Sequence, residues 1–320
     1  MGDLPIDRLT PNPPFTYVGV DVFGPWEVTT RRTRGGSAAS KRWAVMFTCL
    51  VSRAIHIEII EELSASSFIN ALRRFIALRG PVQQIRSNRG TNFIGAVREL
   101  GLNAIFDEGG SVQRFLSDQG CTWVFNPPHA SHMGGSWERM IGIARRILDN
   151  MFLSHSHKFL THEVLVTFMA EVCAIINGRP IVPVSTDPDD PFVLSPLVLL
   201  TQKLPGKDYS FPDMNVKEAY KSNWKYVQIL AEEFWKKWHR EYMHSLQSRK
   251  KWVQDIPNLK EGDVVLIKDL TVHRNGWPLG VVVKTYPGDD GLVRKVEVRI
   301  AREGKSSFCI RPFTELVHLC

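Results

Sequence analysis

The chain is poor in the features that mark several common protein classes. It has 5 cysteines in 320 residues, Cys49, Cys121, Cys173, Cys309 and Cys320, and no two form a C-x-x-C pair. An odd, widely scattered set excludes a disulfide framework and a cysteine-rich zinc site, and points to a reduced, intracellular protein. No stretch approaches the ~20 consecutive apolar residues of a membrane helix, so no membrane partner is expected. The opening Met1-Gly2-Asp3-Leu4-Pro5 has no basic-then-apolar run, so no secretory signal is expected. Internal repeats and low-complexity tracts are also missing, which leaves an ordinary folded chain.

What is present fits that description. Hydrophobic residues make up 43% and charged residues 23%, the balance of a soluble globular protein. The length suits two domains at roughly 100–200 residues each. The formal net charge is +7, but it is unevenly spread. Residues 216–320 hold 19 Lys/Arg against 13 Asp/Glu, and residues 1–215 hold 21 against 20. A basic module beside a near-neutral one suggests a polyanionic partner, most simply nucleic acid. The alternative is a solvated basic surface.

Residues 1–14, rich in Pro and polar residues, read as a linker. From Phe15 to Pro25, apolar and β-branched residues surround one acid, Asp21, and Gly24-Pro25 closes the run. This pattern predicts a buried strand carrying a single carboxylate. Residues 42–50 and 54–60 read as two more strands of an antiparallel meander. A helix comes next, capped by Ser64 or Ser66, with Phe68, Ile69, Leu72, Phe75 and Ile76 at helical spacing and Gly80 at its end. Residues 81–87 give a fourth strand, 101–120 an insertion with a short helix, and 121–125 a fifth strand. Pro127 to Gly135 is expected to be a loop, with a helix from about Ser136. That helix carries an apolar stripe of Trp137, Met140, Ile141, Ala144, Ile147, Leu148, Met151 and Phe152. Glu138, Gly142, Arg145 and Asp149 share another of its faces. A further helix runs from about Thr161 to Asn177. Strands first, then strand–helix alternation, imply an α/β or α+β fold with a mixed five-stranded sheet flanked by helices.

The expected domains are 15–182 for this core and 183–215 for a Pro- and Asp-rich connector. Residues 216–255 are built on a long amphipathic helix, and 256–320 form a small all-β barrel. Trp224, Val227, Ala231, Phe234, Trp235, Trp238 and Tyr242 mark the buried face of the long helix.

Asp21 taken alone is an acid inside an apolar strand, rare unless paired or metal-bound. An Asp tied to a backbone group or an Arg is the plainer reading. Glu138, in the first turn of its expected helix, is placed well to meet the helix dipole.

Three ordered motifs enlarge this reading. Tyr17-Val18-Gly19-Val20-Asp21-Val22-Phe23-Gly24-Pro25 resembles the first catalytic strand of retroviral and retrotransposon integrases. Ser87-Asn88-Arg89-Gly90-Thr91-Asn92-Phe93 resembles their second motif, in which Asp is expected where Asn88 stands. Pro127-Pro128-His129 through Gly134-Gly135-Ser136-Trp137-Glu138-Arg139 resembles the third, with Glu138 as the closing acid. The 49 residues between Asn88 and Glu138 exceed the usual interval, and with the Gly-Gly-Ser-Trp-Glu-Arg string are similar to the Bel/Pao class. Asn177-Gly178-Arg179-Pro180-Ile181 resembles the motif downstream of the core helices in that class. The segment from Trp224 through Trp277-Pro278-Leu279-Gly280 to Arg311-Pro312 resembles its trailing domain.

The resemblance implies an RNase H-like catalytic core, a helical connector and an SH3-like barrel. It implies DNA integration: 3′-end processing and strand transfer on two Mg²⁺ or Mn²⁺ ions. Such hard ions take oxygen ligands. Asp21 and Glu138 are then the metal ligands and catalytic acids, with Asn88 in the third place. An amide oxygen brings no charge, so weaker metal binding and a loss of rate are expected. The family carries an upstream His/Cys zinc module. The first His here is His56 and the first Cys is Cys49, so no zinc is expected in this chain. Arg145, Arg146, Lys250, Lys251, Arg294, Lys295 and Arg299 are the expected DNA-binding residues. A homo-oligomer acting in the nucleus on element and target DNA is expected from the resemblance. The alternatives are a non-enzymatic, domesticated or decaying DNA-binding or scaffolding protein, which Asn88 favours, and a different RNase H-like nuclease.

Overall fold

A computed structural model describes residues 11–29, 39–88, 110–126, 131–154, 160–185, 192–203, 222–246, 258–269, 272–302 and 305–319, with backbone alone at 88, 126, 131–139, 301, 302 and 305. By its internal contacts the chain divides into two units. One is residues 1–177 with 212–234, the other residues 178–211 with 235–320.

In the first unit β1 (Tyr17–Thr29), β2 (Ala39–Cys49) and β3 (Ile55–Ile60) form the expected antiparallel meander. β4 (Gln84–Asn88) and β5 (Thr122–Asn126) extend it in parallel beside β1, giving the order β3-β2-β1-β4-β5. A meander continued by two parallel strands on the side of its first strand is the RNase H-like topology. Strand alternation sends Val20 and Val22 to one side of the sheet, and Asp21 and Phe23 to the other. α1 (Ala65–Arg79) covers the first side, where Phe75 stacks on Phe47 of β2 with ring centres 4.1 Å apart. α2 (Ser111–Asp118) packs beside α1. α3 (Ser131–Ser154) and α4 (His162–Asn177) cover the second side, through Trp26–Phe152 and Phe152–Phe168 ring contacts.

Local chemistry sets the ends of these elements. The Ser64 hydroxyl accepts from the Ser67 N–H at 3.2 Å and caps α1, and Gly80 ends it at φ 90°, its N–H donating to the Ile76 carbonyl. At the end of α4 the buried Asn177 amide holds both backbone groups of Ile55. It donates to the carbonyl and accepts from the N–H, each at 2.8 Å. The asparagine of the Asn177–Ile181 motif thus ties α4 to the start of β3.

α6 (Asn223–Leu246) contributes to both units. Its first half buries Tyr226, Val227, Leu230, Ala231 and Phe234, the last against Phe168 at 6.3 Å between ring centres.

The second unit holds a hairpin of β6 (Val182–Ser185) and β7 (Phe192–Leu194), the short helix α5 (Pro196–Thr201), and an antiparallel sheet. β8 (Val264–Ile267), β9 (Leu279–Pro287), β10 (Val293–Arg302) and β11 (Lys305–Pro312) succeed one another. After a 3-10 turn at Phe313–Glu315, β12 (Leu316–His318) returns to pair with β8. The order β11-β10-β9-β8-β12 is that of an SH3-like barrel. Val265 and Ile267 face the interior with Val282, Val296, Val298 and Leu316. Val264 and Leu266 face outward, where Met243 and Leu246 of α6 cover them. Gly280 lets the strands close: a Cβ there would lie 2.2 Å from Val298 Cγ1.

Four expectations differ from the structure. β1 does not stop at Gly24-Pro25, because the register irregularity between Phe23 and Trp26 absorbs both residues and β2 pairs on either side. Gly24 is required there, at φ 111°, since a Cβ would lie 3.0 Å from the Arg42 carbonyl oxygen. α3 begins at Ser131, five residues before the expected start. Gly134 and Gly135 each cost about 1 kcal/mol in a helix, which the packed stripe further along offsets. The stretch read as the connector, 183–215, holds most of β6 and all of β7 and α5. Trp224 is 55% exposed. Periodicity puts it on the apolar stripe, but it sits in the first turn, before the buried face begins. Lys250 and Lys251 lie outside the described residues.

Candidate active site

β1 and β4 run parallel, with Gly19 opposite Arg86. The pairing runs from Tyr17 with Gln84 to Gly19 with Arg86, and Asp21 and position 88 each lie two residues beyond it. Ser87 is buried and its Oγ accepts from Trp123 Nε1 at 3.0 Å, with Trp123 against Phe68 of α1. Ser87 therefore belongs to the α1 side of the sheet, opposite to Asp21.

α3 lies against that side of β1 through two polar contacts. Arg145 Nη1 stands 3.5 Å from Asp21 Oδ2, with side chains 13% and 35% exposed. Trp26 Nε1 donates to Asp149 Oδ1 at 3.3 Å. The Arg145 guanidinium also lies 5.8 Å from the centre of the Phe23 ring, an apolar wall that holds it over the strand. Glu138 precedes Arg145 by seven residues, two turns or about 10 Å along the axis of α3. The three sequence-predicted positions belong to β1, to the end of β4, which pairs with β1, and to α3, which packs on β1.

The expected DNA-binding residues separate. Arg145, expected at phosphate, is mostly enclosed and lies beside Asp21. Arg146, one residue on, is exposed. In the second unit Lys295 is exposed and Arg299 partly so, both on the outer face of β10. Arg294 is held by Asp290 through paired hydrogen bonds. Sequence reasoning foresaw an Arg as one partner for a buried Asp21 but did not identify Arg145, because the two residues are 124 apart in the chain.

Among the described residues no three His, Cys, Asp or Glu side chains cluster as a metal site. Burial pushes the Cys121 thiol up to about 11, so it stays protonated and unreactive. No described helix is long and apolar enough to cross a membrane.

An RNase H-like core followed by an SH3-like barrel is an integrase-like fold. Residues 222–319 match a family of unknown function (DUF5641). No curated protein matches the chain. Among solved structures it is similar to the simian T-cell lymphotropic virus intasome in complex with PP2A regulatory subunit B56 gamma. That match has 11% identity and a TM-score of 0.39, over 96% of this chain and 80% of that one. The HTLV-2 integrase catalytic core domain in complex with magnesium has 16% identity and a TM-score of 0.29, over 44% and 74%. The catalytic core domain of BIV integrase has 13% identity and a TM-score of 0.33, over 51% and 84%. The fold assignment rests on strand order, not on these scores.

Proposed function

We propose that the chain is an integrase of the Bel/Pao type of LTR retrotransposon, impaired at its metal site. One observation carries the reading. β1, which holds Asp21, pairs with β4, which ends at position 88, and α3, the helix of Glu138, packs on β1 through Arg145 and Asp21; these three elements carry the three integrase-like motifs.

Asp21 and Glu138 would hold divalent ions, with the Asn88 amide as a neutral third ligand. When bound, a pair of Mg²⁺ or Mn²⁺ ions activates an attacking DNA 3′-hydroxyl and stabilises the leaving oxygen. The donors are oxygens and suit such ions in kind. In charge they fall short, for two reasons. Asn88 contributes none, and the Arg145 guanidinium already neutralises Asp21 at 3.5 Å. Two carboxylates and one guanidinium leave a net of −1 to face up to four positive charges. Arg146, Lys250, Lys251, Lys295 and Arg299 would hold DNA by its phosphates, in an oligomer working in the nucleus.

The same two features favour a second reading, a DNA-binding protein without turnover. An oligonucleotide disintegration assay in Mn²⁺ separates them, with the natural chain and Asn88→Asp side by side. The proposal expects turnover from the Asp variant and little from the natural chain. Equal turnover by both would remove position 88 from the site. No turnover by either, with salt-dependent DNA binding intact, would leave the second reading.

A further inference from the structure

The outer face of β9, β10 and β11 is a grid that the barrel leaves open. Register places Val281, Arg299 and Phe308 in one row, Lys284, Glu297 and Ile310 in the next, and Tyr286, Lys295 and Pro312 in the third. Their neighbours Val282, Val296 and Val298 point the other way, into the core. α6 covers the outer side at β8 and the start of β9. Beyond that cover, Phe308 is 58% exposed and Ile310 47%.

Cations surround the rings on this face. The Arg299 guanidinium lies 5.9 Å from the centre of the Phe308 ring. The Lys284 and Lys295 ammonium groups lie 5.3 Å and 5.5 Å from the centre of Tyr286. Glu297 is the single acid of the grid, and its carboxylate accepts from the Tyr286 hydroxyl at 3.3 Å. Three cations against one anion favour a polyanion. The two rings stand at opposite corners, roughly 16 Å apart by strand spacing and rise.

We infer that this face binds single-stranded nucleic acid, with Phe308 as a platform for a base and Arg299 and Lys295 on the phosphates. A duplex would satisfy the cations but leave Phe308 and Ile310 facing its backbone, because its bases are stacked inside. An unpaired base offers a π-face to the exposed ring, and such stacking tolerates any sequence. The inference does not rest on the integrase reading, since it needs neither Asp21 nor a metal.

The test uses the full chain in EDTA, with fluorescence anisotropy on a labelled 20-nucleotide oligothymidine and on a 20-base-pair duplex. Phe308→Ala should weaken oligothymidine binding roughly tenfold and duplex binding less than twofold, and Phe308→Trp should retain both. Lys295→Gln and Arg299→Gln should weaken both probes and each lower the salt slope by about 1. An exposed ring adds little to stability, so the melting temperature of Phe308→Ala checks that the fold is intact. Unchanged oligothymidine binding by Phe308→Ala, or equal loss on both probes, would overturn the inference. So would a change in sedimentation alone, which would make the face a protein contact. Because no strand transfer is measured, a failed disintegration assay leaves this result standing, and the reverse.

Discussion

Replacing Arg145 by Gln removes a positive charge beside Asp21 while keeping a polar side chain of similar reach. Unit charges 4 Å apart interact by about 4 kcal/mol at an effective dielectric of ~20. Here the pair stands at 3.5 Å, with Asp21 35% exposed. Water at that carboxylate screens the interaction, so the net obstacle to an incoming cation is on the order of 1–2 kcal/mol. That corresponds to a factor of roughly 10 in Kd. Arg145→Gln should therefore bind Mn²⁺ about tenfold more tightly than the natural chain. Asn88→Asp, which adds a carboxylate to the same site, should give a gain of similar order. The double variant should exceed either single one, though not by simple addition, because both changes act on one ion. Electron paramagnetic resonance of free Mn²⁺ at pH 7.5 measures this without any DNA. Unchanged or weaker Mn²⁺ binding in Arg145→Gln, with and without Asn88→Asp, would refute the claim that the guanidinium competes with metal.

Packing and burial set three further outcomes. Asn177→Ala strands the buried N–H of Ile55 and leaves its carbonyl to the Cys173 thiol at 3.1 Å, and should cost about 1–3 kcal/mol in urea unfolding. Gly280→Ala pushes a methyl into Val298 and should cost about 1–3 kcal/mol by the same assay. Burial holds His239 below its ordinary value of 6.5, with Asp269 opposing weakly, and burial with the nearby Arg42 does the same to His162. As pH falls through 6.5 the unfolded chain takes up these protons before the folded one. Stability should therefore drop between pH 7 and pH 5 and show no slope from these groups above pH 7. His239→Phe should shrink that drop, measured as the shift in urea midpoint.

The sequence carried the fold well where signals were local. Ser64 and Gly80 bracket α1 because capping chemistry lies within a few residues of the end it satisfies. The meander was legible because β1, β2 and β3 are long and adjacent in the chain. β6 and β7 were not, at four and three residues, with Pro183 breaking the first. The start of α3 was misjudged because glycine propensity was weighed without the tertiary contacts that override it. At the site, residue type and motif order pointed to Asp21, Asn88 and Glu138. The closeness of Arg145 to Asp21 could not be read, because it depends on how α3 lies across the sheet, which no local pattern encodes. Trp224 shows the converse: a stripe predicts direction from the helix axis, not whether anything lies there to cover it.

The family match opens at residue 222, one position before α6. Five buried side chains in the first half of that helix, from Tyr226 to Phe234, belong to the core that also contains α4. A fragment cut at the inherited boundary would carry those five side chains bare into water. It is expected to self-associate through them. The boundary of the matched stretch is therefore not expected to be the boundary of a soluble fragment.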